Sequence, residues 1–347
     1  MYLIRADGNA QIGAGHLMRC LTIADAMRRY ADSREILFVC ADGQSAKLAE
    51  SRGYTTYVLG GEPRDMEAEL SAWPRIPEID QSTNVILVDS YFVTGRYLEA
   101  IREYGTVALL DDTGEECFPV DRIINYNAFA DRKQYERLYR DSDTELILGS
   151  SYVPVRPQFR ERSYTVRERA EDILITTGGG DADNIAGRIL KAMWDGEDET
   201  VRGKLHYHLI IGNFNPHLKE MKALEERSAN IHIYHNVHDM AELMSRCDLA
   251  VTAGGSTVYE LAVVGVPFIC FSYAENQEKM TEYFQREEPA LSAGAYHRDP
   301  ETVLERIVEL TMALVRDHEK RNRCCLNGRR LADGLGAERL AKLLTGS

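Results

Sequence analysis

Strand-length apolar runs alternate with helical patterns along almost the whole of this chain. The strand-length runs lie at 2–6, 35–41, 55–59, 84–89, 106–110 and 122–125, and then at 172–176, 205–211, 230–234, 248–252 and 267–271. Helical spacing fills most of the intervals, as in the apolar stripe from Leu17 to Met27. Alternation of this kind predicts parallel sheets with helices on both faces, which is the α/β class.

The alternation stops once, between residues 145 and 163. This stretch holds Pro154, Pro157 and a charged run at 160–162, which is typical of a linker. A chain of 347 residues is also too long for one ordinary core. We therefore expect two Rossmann-like domains, at 1–155 and 165–347, that face each other across a cleft. Ligands of such sheets bind beyond the carboxyl ends of the strands.

Charge and composition narrow the class of protein. A net charge of −14 argues against a general nucleic-acid binder, although helix ends can still bind an anionic substrate locally. The sequence has no run of 18 apolar residues, which a membrane span would need. Its first residues indicate a strand rather than a signal peptide, so we expect a cytoplasmic protein. The seven cysteines lack Cys-x-x-Cys spacing, which favours reduced thiols. No metal site, cofactor or obligate protein partner is predicted.

A glycine turn follows the first predicted strand. Gly13, Ala14 and Gly15 let the backbone approach a ligand, and His16 then stands in the first turn of a helix. A lone histidine is more often structural than catalytic. Here the positive end of the helix dipole favours a neutral imidazole, which is a competent general base when it faces a ligand.

Polar residues follow other predicted strands as well. Asp7 closes the first strand, and Asp111 and Asp112 follow the run at 106–110. Such carboxylates either face a ligand or bond their own backbone in a turn, and the sequence leaves both open. Tyr91 follows the run at 84–89, where it either contacts a sugar or is an amphipathic surface residue.

A second turn, with different chemistry, follows the strand at 248–252. Gly255, Ser256 and Thr257 open a helix there, and backbone N–H groups and hydroxyls at a helix start favour a phosphate. Glu260 lies four residues beyond Ser256 on the same side, where a carboxylate can accept hydrogen bonds from ribose hydroxyls. Phosphate with ribose indicates a nucleotide. The alternative is an ordinary helix cap followed by a solvated glutamate.

The second turn and its surroundings resemble the donor site of two-domain glycosyltransferases that handle UDP-sugars. The matching residues are 254–262, 265–267 and 275–277. The pattern at 4–7 and 12–21 is narrower, and is similar to the UDP-sugar hydrolase family of pseudaminic acid biosynthesis, which removes UDP from a 2,4-diacetamido-2,4,6-trideoxy-altrose. Further matching stretches lie at 88–91, 110–112, 125–127, 155–159, 177–181 and 215–217. A spore-coat polysaccharide protein family shares much of this pattern.

The resemblance implies a GT-B type of fold, with His16 as the catalytic residue. It also implies substrate-binding roles for Gly178 and Gly179, and hydrogen bonds from Asn276 and Gln277 to sugar hydroxyls or acetamido groups. The expected reaction is metal-free hydrolysis of a UDP-activated diacetamido-trideoxy sugar, with inversion. The alternatives are a UDP-sugar-dependent glycosyltransferase, a non-hydrolysing epimerase and an inert nucleotide-sugar binding protein.

Overall fold

The chain forms two compact units. The first unit comprises Met1–Val155 and Leu335–Ser347, and the second comprises Arg156–Gly334. The structure is a computed structural model. It describes residues 1–9, 12–31, 35–77, 79, 84–178, 181–197, 201, 203–212, 215–226, 228–235, 237, 239–288 and 290–347.

In the described part of the chain, the first unit holds a parallel sheet of seven strands. They are β1 (Tyr2–Ala6), β2 (Ile36–Cys40), β3 (Thr55–Val58), β4 (Val85–Asp89), β5 (Thr106–Leu110), β6 (Arg122–Asn125) and β7 (Glu145–Leu148). Their order in the sheet is β3-β2-β1-β4-β5-β6-β7. Its helices before Val155 are α1 (Gly15–Met27), α2 (Gly43–Glu50), α3 (Gly95–Ile101) and α4 (Arg132–Leu138), with 3₁₀ segments at Glu67–Arg75, Arg102–Tyr104 and Ser150–Tyr152.

The central strands are continuous apolar runs because both faces of the sheet are covered. Every residue of β1 and of β2 is buried. Arg5 is the charged residue in these two strands, and its guanidinium is fully buried. It pairs with both carboxylate oxygens of Glu69, at 2.6 and 2.7 Å, and with Asp7. These partners offset the cost of burying the charge.

The second unit holds a parallel sheet of six strands among the described residues. They are β8 (Asp172–Thr176), β9 (His206–Ile211), β10 (Ile231–His235), β11 (Leu249–Ala253), β12 (Phe268–Ser272) and β13 (Leu291–Ala295), in the order β10-β9-β8-β11-β12-β13. The helices are α5 (Pro157–Arg160), α6 (Ile185–Asp195), α7 (Leu218–Glu225), α8 (Met240–Arg246), α9 (Thr257–Val264), α10 (Glu278–Glu287), α11 (Pro300–Arg316) and α12 (His318–Leu331), with a 3₁₀ segment at Glu275–Gln277.

The C-terminal helix α13 (Gly336–Thr345) lies in the first unit, where it packs against α1. The expectation of a single domain over 165–347 is therefore wrong at this end. The buried stripe of α13 includes Leu340 and Leu344. Its periodicity predicts a buried face but does not say which core receives that face. Gly336 lies so close to the backbone of Val153 that a side chain there would overlap it.

The predicted α/β class with two Rossmann-like domains is confirmed, with two differences in detail. The stretch at 145–163, expected to be a linker, contains β7 and α5. The strand β13 had no counterpart in the predicted runs. β7 is a short edge strand that starts at an exposed glutamate, and β13 contains Gly294 and a register shift against β12, so both carry weak strand signals.

Both sheets reverse their strand order beside the first strand of the unit. The reversal lies between β1 and β4 in the first unit, and between β8 and β11 in the second. Loops that leave such neighbouring strands diverge, and ligands of open α/β sheets bind in the crevice that this creates. Within the described ranges, every helix is too short or too polar to span a bilayer.

Candidate active site

The candidate catalytic residues of the first unit lie at the carboxyl ends of β1 and β4. After β1 the chain turns through Gly13, and α1 begins at Gly15, so His16 is the second residue of that helix. β4 ends at Asp89, which is paired with Ala6 of β1. His16 and Asp89 therefore meet where the strand order reverses, although 73 positions separate them in the sequence.

His16 makes a hydrogen bond to Asp89 that determines which ring nitrogen is protonated. Nδ1 of His16 lies 2.6 Å from Oδ1 of Asp89, whose side chain has no exposed surface. Burial by itself would raise the pKa of Asp89, but the charges of Arg19 and His16 lower it well below its ordinary value. The ionised carboxylate can only accept, so Nδ1 carries a proton. In the neutral ring, Nε2 is then the free acceptor.

Arg19 lies one helical turn beyond His16 on α1 and holds two carboxylates at once. Its Nε and one terminal nitrogen each lie 2.5 Å from an oxygen of Asp89. The other terminal nitrogen lies 2.7 Å from Oδ2 of Asp112 and 2.6 Å from the hydroxyl of Tyr126. A planar guanidinium can make this forked arrangement, whereas a lysine ammonium cannot.

Tyr91 lies beside His16, and half of its surface (50%) is exposed. The two rings meet edge to face, with their centroids 4.5 Å apart. The Tyr91 hydroxyl donates to Oδ2 of Asp112 at 3.1 Å, and Nδ2 of Asn127 donates to the other oxygen at 2.9 Å. Burial of the phenol and the Asp112 carboxylate raise the pKa of Tyr91, so it remains protonated at neutral pH. The exposed ring is therefore a neutral aromatic surface next to the imidazole.

The predicted turn residues of the first unit face open space. Gly13 has a φ of +79°, which favours glycine. A Cβ atom added at Gly13 or Gly15 would meet no atom of the described residues within 4 Å. Ala14 is the N-cap of α1, and it provides no side-chain cap for this helix.

Asp7 is engaged by the protein through both of its oxygens. Its side chain is buried, with 4% exposure, and it accepts from Arg5 and, at 2.8 Å, from the backbone N–H of Ala41. These contacts tie the end of β1 to the end of β2. Asp7 thus bonds a side chain of β1 and the backbone after β2 rather than its own turn, and its substrate-binding role stays a prediction.

The glycine turn of the second unit leads directly from β11 into α9. Gly254 packs tightly, since a Cβ there would lie 3.3 Å from Cβ of Gln277. At Gly255 the same test finds no atom of the described residues within 4 Å. Ser256 is exposed, and its side chain does not cap α9, which begins at Thr257. The backbone N–H groups of Gly255, Val258 and Tyr259 donate to nearby backbone carbonyls, so the exposed feature of this helix start is the side chain of Ser256.

Glu260 lies on the first turn of α9 and forms an ion pair with Arg156. Oε1 of Glu260 accepts from a terminal nitrogen of Arg156 at 3.1 Å, and the guanidinium also lies over the ring of Phe159, 4.8 Å from its centroid. Burial raises the pKa of Glu260, and Arg156 opposes this shift. The carboxylate is thus mostly buried, with 17% exposure, and has a cation at one oxygen.

Two further loops at the same edge of this sheet carry predicted residues. Gln277 lies against Gly254, as noted above, and its Oε1 accepts from the backbone N–H of Tyr273 at 3.2 Å, while Asn276 is exposed. Gly178 follows β8, the neighbour of β11, and has a φ of +92°. Gly179 lies outside the described residues. The structure therefore brings Gln277 next to the glycine turn and places Gly178 after the adjacent strand.

Sequence reasoning missed the side chains that hold the predicted ones. Asp89, Arg19 and Arg156 entered only as parts of matching stretches, without a role. Asp89 ends a predicted strand and Arg19 lies three residues after His16, so a strand order would have placed both near the imidazole. The sequence pattern alone does not supply that order. Among the described residues, no three histidine, cysteine or carboxylate side chains come together in a way that could hold a metal ion.

The second unit is similar to a known family, the glycosyltransferase family 28 C-terminal domain. The family model matches residues 172–332, from β8 through α12. The resemblance inferred from the motifs is confirmed by relatives along most of the chain. The UDP-2,4-diacetamido-2,4,6-trideoxy-beta-L-altropyranose hydrolase of Campylobacter jejuni is 25% identical over 82% of this chain and 96% of its own length. The spore coat polysaccharide biosynthesis protein SpsG of Bacillus subtilis is 24% identical, over 98% of this chain and 96% of its own.

Solved structures confirm the GT-B type of fold. MurG of Acinetobacter baumannii has a TM-score of 0.66 at 14% identity, covering 100% of this chain and 99% of that one. UDP-GlcNAc 2-epimerase of Neisseria meningitidis has a TM-score of 0.65 at 12% identity, with both chains covered completely. At these identities the likeness concerns the fold alone.

Proposed function

We propose that this protein hydrolyses a UDP-activated 2,4-diacetamido-2,4,6-trideoxy sugar at its anomeric carbon. The products are UDP and the free sugar with inverted configuration, made for nonulosonic acid or surface polysaccharide biosynthesis. The observation that carries the proposal is the hydrogen bond between His16 and the buried, ionised Asp89. It gives the ring a protonated Nδ1 and a free Nε2, as a general base requires. The similarity to the Campylobacter hydrolase supports the choice of substrate.

His16 activates the water in this reaction. Nε2 takes a proton from water while the water oxygen attacks the anomeric carbon on the face opposite UDP. The bond between that carbon and the diphosphate oxygen breaks, and its electron pair leaves with UDP. Because UDP is a good leaving group, the base is the main group that the protein must supply. The charge that remains on Asp89 stabilises the imidazolium formed in this step.

The second unit binds the nucleotide. The start of α9, at Gly255, Ser256 and Thr257, donates hydrogen bonds to the diphosphate as charge builds on it. Glu260 accepts hydrogen bonds from the ribose hydroxyls. Its ion pair with Arg156 favours the charged form of the carboxylate against the effect of burial. Asn276 and Gln277 contact the sugar or its acetamido groups.

A panel of UDP-sugars tests the proposal. The purified protein is incubated with UDP-2,4-diacetamido-2,4,6-trideoxy-β-L-altropyranose or with UDP-GlcNAc, without an acceptor, and UDP release is followed. We expect equal amounts of UDP and free sugar from the diacetamido substrate, at a much higher rate than from UDP-GlcNAc. Binding of UDP without any release from either donor would contradict hydrolysis.

A glycosyltransferase is the second candidate, because the second unit matches a glycosyltransferase family. It would use the same donor contacts and pass the sugar to a hydroxyl acceptor that His16 deprotonates. UDP release that begins only when a polysaccharide or lipid acceptor is added would favour this function. Release with the donor alone favours the hydrolase.

A further inference from the structure

Arg19 connects the side chains of His16 and Tyr91 through two carboxylates. Asp89 holds the imidazole of His16, and Asp112 holds the hydroxyl of Tyr91. The guanidinium of Arg19 binds both carboxylates, through three contacts of 2.5 to 2.7 Å. The guanidinium of Arg19 therefore holds both carboxylates that accept from His16 and Tyr91, and the rings of these two residues lie against each other.

Arg19 and His16 compete for the same carboxylate. One terminal nitrogen of Arg19 lies 2.5 Å from Oδ1 of Asp89, the oxygen that His16 also contacts, and 3.2 Å from Nδ1 of the imidazole. Protonation of the imidazole would therefore place a second positive charge beside that of Arg19. Arg19 neutralises part of the attraction that Asp89 would otherwise exert on an imidazolium, and repels it directly.

We infer that Arg19 is a positioning residue for both His16 and Tyr91, acting through the carboxylates of Asp89 and Asp112. It orients the imidazole through Asp89, and its positive charge opposes a second positive charge on the ring. This inference rests on the proposed function for its catalytic meaning, but the contact itself is testable without any substrate.

The groups around His16 keep their charge state near pH 7, so the titration of His16 can be followed on its own. Among the described residues, the titratable and charged groups around His16 lie on α1 and at the ends of β4, β5 and β6. They are Arg19, Cys20, Asp89, Tyr91, Asp112 and Tyr126. Burial raises the pKa of Cys20 and of the two tyrosines, so all three stay neutral near pH 7. Against the effect of burial, the charge of Arg19 and the hydrogen bonds from Arg19 and His16 keep the pKa of Asp89 low, so it stays ionised.

Nuclear magnetic resonance of the imidazole signals tests the inference in the free protein. The nine histidines are labelled, and His16 is assigned by its absence from His16→Gln. We expect the titration midpoint of His16 to rise by about one pH unit in Arg19→Met, because an unshared carboxylate stabilises the imidazolium. Arg29→Met is the control, since Arg29 follows the same helix and pairs with Glu338 at the surface. It should leave the midpoint unchanged.

An unchanged His16 midpoint in Arg19→Met, or an equal shift in Arg29→Met, would overturn the inference. If Arg19→Met does not fold, Arg19→Gln replaces it, because its amide can still donate to one carboxylate. We expect the His16 midpoint to rise in this variant too, since the positive charge is also lost. Asp89→Asn should move the midpoint to lower pH than in the wild type, and no shift there also counts against the coupling.

Kinetics separate geometry from charge. Arg19→Lys keeps a cation near Asp89 but cannot bridge both carboxylates. We expect its His16 midpoint to move less than that of Arg19→Met, while kcat falls and the affinity for UDP stays the same. Wild-type kcat in Arg19→Lys would show that the fork is not needed. If the wild type releases no UDP at all, the hydrolase proposal fails, whereas the titration results still decide the role of Arg19.

Discussion

At the scale of single residues, His16 gains its chemistry from a partner that lies far away in the sequence. The glycine turn and the helix start around His16 are local signals, so the sequence predicts a histidine exposed to a ligand. Its tautomer depends on Asp89, at the end of another strand, and on Arg19, which shares that carboxylate. Such contacts follow from the strand order and could not be obtained from local spacing.

His16→Ala should leave UDP binding nearly intact and lower turnover by about 10²–10⁴-fold, the usual contribution of a positioned base. The wild-type rate should fall as the pH drops through the titration of one group, because only a neutral imidazole accepts the proton. Turnover and calorimetric UDP binding are the measurements. A His16→Asn variant that keeps most of the wild-type rate would show that the ring only donates a hydrogen bond.

Glu260→Gln should weaken UDP binding by about 1.5–3 kcal/mol, the range for hydrogen bonds to a charged group. The amide keeps the shape of the side chain but loses the charge, and it leaves Arg156 without its anion. Titration calorimetry with UDP and with 2′-deoxy-UDP measures the effect, and we expect a smaller loss for the deoxy nucleotide. Equal losses for the two nucleotides would mean that Glu260 does not hold the 2′-hydroxyl.

At the scale of elements, the starts of α6 and α9 differ in how they are capped. Asp181 closes the start of α6, where its carboxylate accepts from the backbone N–H groups of Ile185 and Ala186, at 2.6 and 2.9 Å. Ser256, at the start of α9, makes no such cap. Both helices follow a glycine-containing loop, and ligand contacts were predicted at both. The diphosphate contact at the start of α9 stays a prediction.

Asp181→Ala should lower the free energy of unfolding of the second unit by about 2 kcal/mol. This is the upper end of the range for a lost helix cap, because the carboxylate is buried and also accepts from the hydroxyl of Thr177. Urea unfolding followed by circular dichroism measures the change. Asp183→Ala, at an exposed neighbouring position, is the matched control and should cost less than about 0.5 kcal/mol. Equal effects in the two variants would remove the capping role.

The strands at the centre of each sheet were predictable almost to the residue, because their apolar runs are continuous. The runs at 106–110, 122–125 and 172–176 coincide with β5, β6 and β8. The interval between β3 and β4 contains a 3₁₀ segment, Glu67–Arg75, that includes Pro74. Edge strands and this segment depend on neighbours more than on their own pattern, so local reasoning described them poorly.

At the scale of the whole molecule, the chain forms its first unit, then its second, and returns to the first for its last helix. The net charge of −14 gives no indication of an anion site, and the proposed diphosphate site rests instead on the local helix start of α9. We assign the base to the first unit and the nucleotide to the second. We propose that these residues serve attack of water on the anomeric carbon of a UDP-sugar.

Hydrolysis in ¹⁸O-labelled water, with the UDP-diacetamido sugar and no acceptor, tests that claim most directly. Mass spectrometry locates the label, and proton resonance spectra at early times identify the first anomer of the free sugar. We predict that ¹⁸O appears in the sugar and not in UDP, that the first anomer has the inverted configuration, and that His16→Asn slows this release at least about 100-fold. Label in the phosphate of UDP, or no sugar release from the donor alone, would contradict the account.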